Sequence, residues 1–571
     1  MILVAPASRG LNFCLESGLV RPGLDGIQRG GAQVRYLNSR ATRLASLARA
    51  VVSENLPCSF CVRITRSTFR AKLIEPSHRM SEPEGLPTAI ASADEPSAPA
   101  PADATGVPGE AQGFWSAIRE SLRGSHRDYT TGPIGRSIIL LAIPMVLEMG
   151  MESIFVVVDI KWVSYLGPDA MATVGLTESL MTLVYAIAIG LSIGATATIA
   201  RRIGEKNHEG AARAAVQAIA LALIVSAIIA LIGAPLAPKL LSLMGASPEV
   251  VATGSGFTTV MLACNASVVL LFMINAIFRG AGDAAIAMRV LWLANAINIL
   301  LGPCLIFGLG PFPKLGIVGA AVATSIGRGT GALYACSRLV RSGGRFDIKR
   351  HHLRLEPQIM MRLVRLSGTG TFQVFIGMAS WIGLVRIISS FGTDVVAGYI
   401  IGIRVIIFAL LPSWGMSNAA ATMVGQALGA GKPERAERAV WKAGLYNLIF
   451  LGTVGLIFVI FARQIIGLFT TDPNVVPYGV DCLRIVAYGF PFYAYGMVLT
   501  QSFNGAGDTW TPTIINLFVF WLWELPLAYV LATVFGLGPR GVFLAIMIAF
   551  STLAIVSALV FRRGKWKGHA V

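Results

Sequence analysis

An internal repeat with a constant offset is the feature that most constrains this chain. The segment Phe278–Asp283 reads FRGAGD, and 225 positions later Phe503–Asp508 reads FNGAGD. The same offset relates Gly167–Ala170 to Gly392–Val395. Several matches in one register indicate two homologous halves that fold as similar units.

The apolar residues are gathered in long blocks. Hydrophobic residues make up 54% of the chain and charged residues 13%, and the mean hydropathy is +0.67. Each block has the length that spans a bilayer core of roughly 30 Å. Because an open strand edge cannot stay unpaired in lipid, the blocks are predicted to be helices. The twelve blocks are 136–160, 170–199, 211–235, 250–279, 284–308, 317–340, 360–389, 395–425, 438–462, 475–502, 510–535 and 541–562.

The blocks and the repeat together predict an all-α integral membrane protein with twelve transmembrane helices. Two six-helix lobes are expected, at 131–340 and 356–563, joined by a basic cytoplasmic linker at 341–355. Because six is even, both lobes cross the membrane in the same sense, and their pseudo-twofold axis lies along the membrane normal. A cleft on that axis is the expected place for a substrate.

The two ends of the chain differ from the lobes. Residues 1–79 are rich in arginine and lack a convincing core, so translation is expected to start at Met80. This leaves 1–79 as an artefactual or disordered extension, with an arginine-rich targeting arm as the alternative. Residues 80–130 predict a disordered linker with a short amphipathic helix. Residues 564–571 form a basic tail.

The net charge of +17 suggests nucleic-acid binding only until the charges are located. Much of the charge lies in 1–79, and most of the remainder lies in alternate loops and the C-terminal tail. This asymmetry predicts that both termini are cytoplasmic and that the chain is a multi-pass protein of the inner (plasma) membrane. The lipid bilayer, and not nucleic acid, is the expected partner.

The sequence gives little support for an enzyme or an ATP-driven pump. HExxH and Walker patterns are absent, and all six histidines fall outside the apolar blocks. Cys58 and Cys61 have metal-ligand spacing but no second pair that would complete a zinc site. We therefore expect a transporter that needs no cofactor other than a coupling ion.

Three motifs give the chain a resemblance to a known family. Asp159 stands near the end of the first helix with Leu166-Gly167 behind it, and Gly-Ala-Gly-Asp turns occur in both lobes. The run Asn418–Gly429 is the third motif. Over about 131–563 the chain resembles the multidrug and toxic compound extrusion (MATE) transporters. The resemblance implies alternating access driven by H⁺ or Na⁺ and export of organic, often cationic, amphiphiles. A monomer is expected.

Three acids share one stripe of the first helix. At 100° per residue, Glu152 and Asp159 lie about 40° and about 20° around the helix from Glu148. Glu178, early in the second helix, is expected to join them. Carboxylates gathered at low dielectric can hold a proton, and they are also the ligands that Na⁺ requires. For Glu148 and Glu178, a position near the outer rim or a structural role as a cap is the alternative.

Pro144 is the expected hinge of the first helix. It lies fifteen residues before Asp159. A proline frees a backbone carbonyl and permits a kink. The resemblance implies that protonation of Asp159 bends this helix and reshapes the cleft.

The fifth helix departs from the family pattern. Relatives often read Asn-x-x-x-Asp-Pro, whereas here Asn298 is kept and the acid is replaced by Gly302. Glu152 is expected to supply the missing charge. The resemblance also assigns a coupling role to Thr324 in the sixth helix. A Na⁺ site at Asp159 and Asn298 is therefore possible.

The second lobe lacks these acids, because the repeat places Leu384 opposite Asp159. Its candidate is Glu524, which stands among aromatic residues and is expected to bind an organic cation. An ion pair with Arg386 or Arg404 is the alternative. Further candidates for the cleft are Gln373, Trp381, Trp414 and Tyr495.

These features predict a secondary antiporter that exports organic, cationic amphiphiles in exchange for H⁺ or Na⁺. The alternative is a flippase of related architecture for a lipid-linked sugar or a metabolite. Such a protein would favour a basic cleft, whereas the clearest stripe of this chain is acidic.

Overall fold

The computed structural model describes residues 110–124, 128–341, 346 and 348–569. The expectations for 1–79, and for the linker before residue 110, lie outside the described residues. In the described part, the regular elements are helices throughout. The first of them, α1 (Glu110–Arg123), overlaps the predicted amphipathic helix and packs against the start of the first membrane helix.

The helices that follow correspond one for one to the twelve apolar blocks. Two of them are broken into two segments, which share one label below. The helices are α2 Ile134–Ser164, α3 Pro168–Gly204, α4 His208–Leu243, α5 Pro248–Ala263 with Asn265–Ala281, α6 Ala284–Phe307, α7 Ile317–Arg341, α8 Pro357–Ile388, α9 Thr393–Gly429, α10 Pro433–Gly467, α11 Val476–Ala487 with Phe490–Ala506, α12 Trp510–Val534 and α13 Pro539–Arg562.

The all-helical membrane fold is confirmed. Ten of the described helices are long and apolar enough to cross a bilayer, and the bent pair that forms α11 brings the number to eleven. Helix α7 is outside this set, because polar residues, Arg328 among them, lower its hydropathy. The predicted count of twelve crossings stays a prediction.

The backbone reproduces the repeat that the sequence predicted. Gly282 and Gly507, at the ends of α5 and α11, both have left-handed φ angles, of 88° and 85°. Such a conformation is open to glycine without the penalty of a Cβ. The breaks are equivalent too: α5 is interrupted at Cys264, and Gly489, at the break in α11, is 225 positions further on.

The two lobes are in close contact along α3 and α9, whose ends lie on the side of the bundle called here the basic side. It is the side on which α3 and α9 end and α4 and α10 begin. A Cβ at Gly190 would clash with Thr371, and one at Gly415 would lie 2.6 Å from the carbonyl oxygen of Met145. Thr422 Oγ1 also donates to a backbone carbonyl of α5, at 3.1 Å.

Candidate ion-coupling site in the first lobe

Glu148 forms a buried ion pair with Arg279. Its Oε1 lies 2.6 Å from Nη1 of Arg279, and Asn275 Nδ2 donates to the same oxygen at 3.2 Å. The glutamate is 1% exposed. Arg279 belongs to the FRGAGD turn, and its repeat partner in the second lobe is Asn504, so this pair exists in the first lobe alone. The guanidinium of Arg279 therefore neutralises the negative charge of Glu148.

Glu152 is also paired, with an arginine of another helix. Arg328 Nη2 on α7 lies 2.8 Å from Glu152 Oε1, and Asn295 Nδ2 on α6 donates to Oε2 at 3.1 Å. The side chain of Arg328 is 3% exposed and that of Glu152 is 18% exposed. Helices α2, α6 and α7 are therefore joined through one carboxylate.

Arg328 is a residue of the site that the sequence argument missed. Its guanidinium carbon lies 5.4 Å from the ring centre of Phe155, on α2. Its Nε and Nη1 atoms are buried and have no hydrogen-bond partner among the described residues. The signal was available, since an arginine inside an apolar block is as costly in lipid as an acid.

Asp159 differs from the other two acids of the stripe. It is partly buried, and no hydrogen bond or ion pair of its carboxylate occurs within the described ranges. Glu178 and Arg328 are the charged groups near enough to act on it. Tyr185 of α3 lies within electrostatic reach of all these groups, and it too was missed. Arg404 of the second lobe is near enough to Glu178 to act on it electrostatically.

Asn298 and Thr324 are in direct contact. Asn298 Nδ2 donates to Thr324 Oγ1 at 2.7 Å, and both residues are buried. A Cβ at Gly302 would lie 3.8 Å from Asn298 Oδ1 and 4.0 Å from Cδ1 of Trp162, which is ordinary van der Waals contact. The place of the missing acid therefore has room for a Cβ, which would contact Asn298 and Trp162.

The expected hinge has a partner outside its own helix. Pro144 lies inside α2, which is helical from Ile134 to Ser164. Because proline has no N–H, the carbonyl of Leu140 loses its usual donor. Ser121 of α1 donates to that carbonyl oxygen at 3.0 Å. The short helix thus satisfies the group that the proline leaves free.

Glu524 lies in the π-helical stretch Leu517–Glu524 of α12 and is 3% exposed. The described residues contain no ion pair between Glu524 and either arginine that was considered as its alternative partner. Tyr399 and Tyr493 lie within electrostatic reach of its carboxyl group. The hydroxyl of Tyr399 has no hydrogen-bond partner in the described part of the chain.

The remaining candidates for the cleft occupy different places. Gln373 is 6% exposed and lies two residues after Thr371, at the lobe contact. Trp414 precedes Gly415, at the second such contact. Trp381 packs against the core of the second lobe. Tyr495 lies inside that lobe, 6.1 Å from Trp441 by ring centroids.

One enzyme-like pattern occurs in the chain and is structural. Residues 190–194 read GLSIG, which fits GxSxG, but they lie inside α3 and not at a strand-to-helix turn. Ser192 Oγ donates to the carbonyl oxygen of Ala188 at 2.8 Å. The strained elbow that exposes a nucleophilic serine is therefore missing at this position.

Two helical lobes of similar build, with an acid cluster in only one of them, define a membrane-embedded secondary transporter. A family model described as MatE matches residues 144–304 and 371–530, one segment in each lobe. The chain belongs to this family. The members of the family are transporters and not enzymes.

This chain aligns with similar proteins over nearly the whole of their length. A "Probable multidrug resistance protein NorM" of Thermotoga maritima is 28% identical over 439 residues, 77% of this chain and 94% of the relative. A protein of Shewanella oneidensis described as "FAD transporter" is 25% identical, over 76% of this chain and 95% of its own length. A solved structure, "Outward-facing conformation of a multidrug resistance MATE family transporter of the MOP superfamily", matches with a TM-score of 0.73 and 28% identity. It covers 77% of this chain and 98% of that chain.

Proposed function

We propose that the protein is a secondary antiporter that exports small amphiphilic organic cations in exchange for a cation, H⁺ or Na⁺, that binds in the first lobe. The observation that carries the proposal is the state of the acids on α2. Glu148 and Glu152 are held by arginines, whereas Asp159 has no such bond within the described ranges. An unpaired acid at membrane depth is a candidate for a coupled ion by default.

The other candidates take supporting roles. Asn298 and Thr324 form a polar pair that is able to position an ion beside Asp159, and Glu178 supplies a further negative charge. Pro144 gives α2 a point at which to bend. In the second lobe, the proposed role of Glu524 is to attract a cationic substrate, and Gln373, Trp414, Trp381 and Tyr495 are the further candidates for the cleft.

The proposed setting is the inner (plasma) membrane, with both termini in the cytoplasm and the basic side facing it. The turns on that side carry Arg201, Arg202 and Lys432, which agrees with the positive-inside rule. We expect the protein to act as a monomer, with the bilayer and a small organic cation as its partners.

Transport by proteoliposomes tests this proposal. The full chain would be reconstituted and loaded with ethidium, under a pH gradient alone and under a sodium gradient alone. Asp159→Asn should abolish gradient-driven efflux while the protein remains folded. Asp169→Asn, an exposed acid in the first turn of α3, is the matched control and should transport normally. Undiminished efflux by Asp159→Asn would refute the coupling role.

A second candidate function is export of an anionic metabolite. It is favoured by the FAD transporter of Shewanella oneidensis, which this chain resembles over 76% of its length. The same proteoliposomes would be loaded with FAD in place of ethidium. Efflux of FAD without efflux of ethidium would establish the second candidate and exclude the first.

A further inference from the structure

We propose that Arg328 is a tethered counter-cation: its guanidinium holds the place between Glu152 and Asp159 that a bound metal cation would otherwise take, so the first-lobe site refuses Na⁺. This inference rests on the proposed function, because it concerns the ion that is coupled at the same site. If Na⁺ is refused, the proton remains as the coupled ion.

The position of Arg328 along α2 is the first support. Phe155 comes three residues after Glu152 and four before Asp159, so it lies about one helical turn from each acid and on their side of the helix. The guanidinium carbon of Arg328 stands 5.4 Å from the centre of the Phe155 ring. The positive charge therefore sits at a level between the two acids.

The chemistry of the group is the second support. A guanidinium does not lose its proton in a protein, so this positive charge is permanent. A sodium ion held by Asp159 would lie close to that charge at low dielectric, where repulsion is weakly screened. The sodium ion would be attracted by Glu178. It would gain little from Glu152, because that carboxylate is already neutralised by Arg328 at 2.8 Å.

The unused donors of Arg328 are the third support. One of its nitrogens bonds Glu152, while Nε and Nη1 are buried without an acceptor among the described residues. Buried donors without partners are costly, and a carboxylate is their best acceptor. Asp159 is the acid near them that has no partner of its own in the described ranges. Contact of Asp159 with these donors would satisfy both groups, so the lobe would supply its own cation where a metal ion would otherwise be needed.

Direct binding of radioactive ²²Na⁺ to the purified full chain in detergent tests the proposal. The wild-type protein should show no saturable binding. The double variant Arg328→Gln/Glu152→Gln removes both partners of the pair, which avoids a buried unpaired charge. It should gain saturable ²²Na⁺ binding, and adding Asp159→Asn should remove that gain. Glu152→Gln alone keeps the guanidinium and should bind no Na⁺.

Two results would overturn the inference. The first is saturable binding of ²²Na⁺ to the wild-type protein, if Asp159→Asn abolishes this binding. This test does not depend on whether the other variants fold. The second is a folded double variant, with a monodisperse elution profile, that still binds no Na⁺. If the glutamine pair does not fold, the apolar pair Arg328→Met/Glu152→Leu takes its place. Because binding is measured without transport, a protein that exports no organic cation would fail the proposed function and leave this result standing.

Discussion

Arg328 Nη2 lies 2.8 Å from Glu152 Oε1, and this pair joins the first helix of the first lobe to its last. Glu148 is tied in the same way to Arg279. Two of the three acids on the stripe are thus bound to arginines of other helices. The third, Asp159, carries the proposed coupling.

The buried pair should matter for stability. Arg328→Met leaves the Glu152 carboxylate inside the bundle without its cation, which costs about 3–5 kcal/mol for a buried pair. A large fall in the unfolding temperature of the purified protein in detergent would be expected. Arg202→Met, which removes an ion pair with Glu205 at a partly exposed turn, is the control and should change stability by about 1 kcal/mol or less. Equal effects of the two substitutions would contradict the structural role of the Glu152 pair.

The short helix α1 should stabilise the region of the hinge. Ser121→Ala removes the donor to the carbonyl of Leu140, which Pro144 leaves without an intrahelical partner. An unsatisfied buried carbonyl costs about 1–3 kcal/mol. Hydrogen exchange of the amides near Leu140 should rise in this variant. Ser179→Ala, whose hydroxyl bonds its own helix, should leave exchange unchanged. If Ser121→Ala exchanged like the wild type, the contact would not contribute.

The glycine contact between the lobes should be required for closure on the basic side. A Cβ at Gly190 has no room beside Thr371, so Gly190→Val should push α3 and α8 apart. Cysteines introduced at Ile193 and Gly370, next to this contact, should then cross-link less readily than in the unsubstituted background. Gly150→Val is the matched control, because a Cβ there meets nothing within 4 Å. Unchanged cross-linking in Gly190→Val would show that the added side chain does not separate α3 from α8, and it would contradict the need for glycine at this contact.

Glu524 should strengthen the binding of cationic substrates. Its carboxyl group is 3% exposed, lies among aromatic side chains and lacks an ion pair in the described part of the chain, so a bound organic cation would be its counter-charge. Loss of the charge of Glu524, with the aromatic side chains left in place, is expected to cost about 1–2 kcal/mol, which is roughly a tenfold change in affinity. Equilibrium binding of ethidium to Glu524→Gln should weaken by this factor, while Glu434→Gln, an exposed acid of α10, should bind as the wild type does. Equal affinities would remove Glu524 from the substrate site.

Much of the fold could be predicted because membrane helices are encoded locally. A run of apolar residues long enough to cross the bilayer becomes helical wherever it occurs, since the backbone must satisfy its own hydrogen bonds in lipid. The repeat offset then predicted the division into lobes, and the left-handed Gly282 and Gly507 show the same repeat in the backbone. The break in α5 at Cys264 was not predicted, because neither proline nor glycine marks it.

The partners of the acids could not be predicted in the same way. Glu152 and Arg328 are 176 residues apart in the chain, and Glu148 and Arg279 are 131 apart. Helical periodicity shows that three acids share a face of α2, but it does not show which neighbouring helix presents a cation to which acid. That choice depends on the packing and rotation of α5, α6 and α7 against α2.

The sequence by itself determined that the chain is a duplicated bundle of membrane helices with acids concentrated in its first lobe, because hydropathy, repeat and charge are properties of the residues in order. Only the tertiary structure decided which of those acids are neutralised. Ion pairing at low dielectric acts over a few ångströms, and the neighbours at that distance come from helices that are far apart in the chain. Glu148 and Glu152 have arginines within that reach as hydrogen-bonded partners, and Asp159 has none among the described residues.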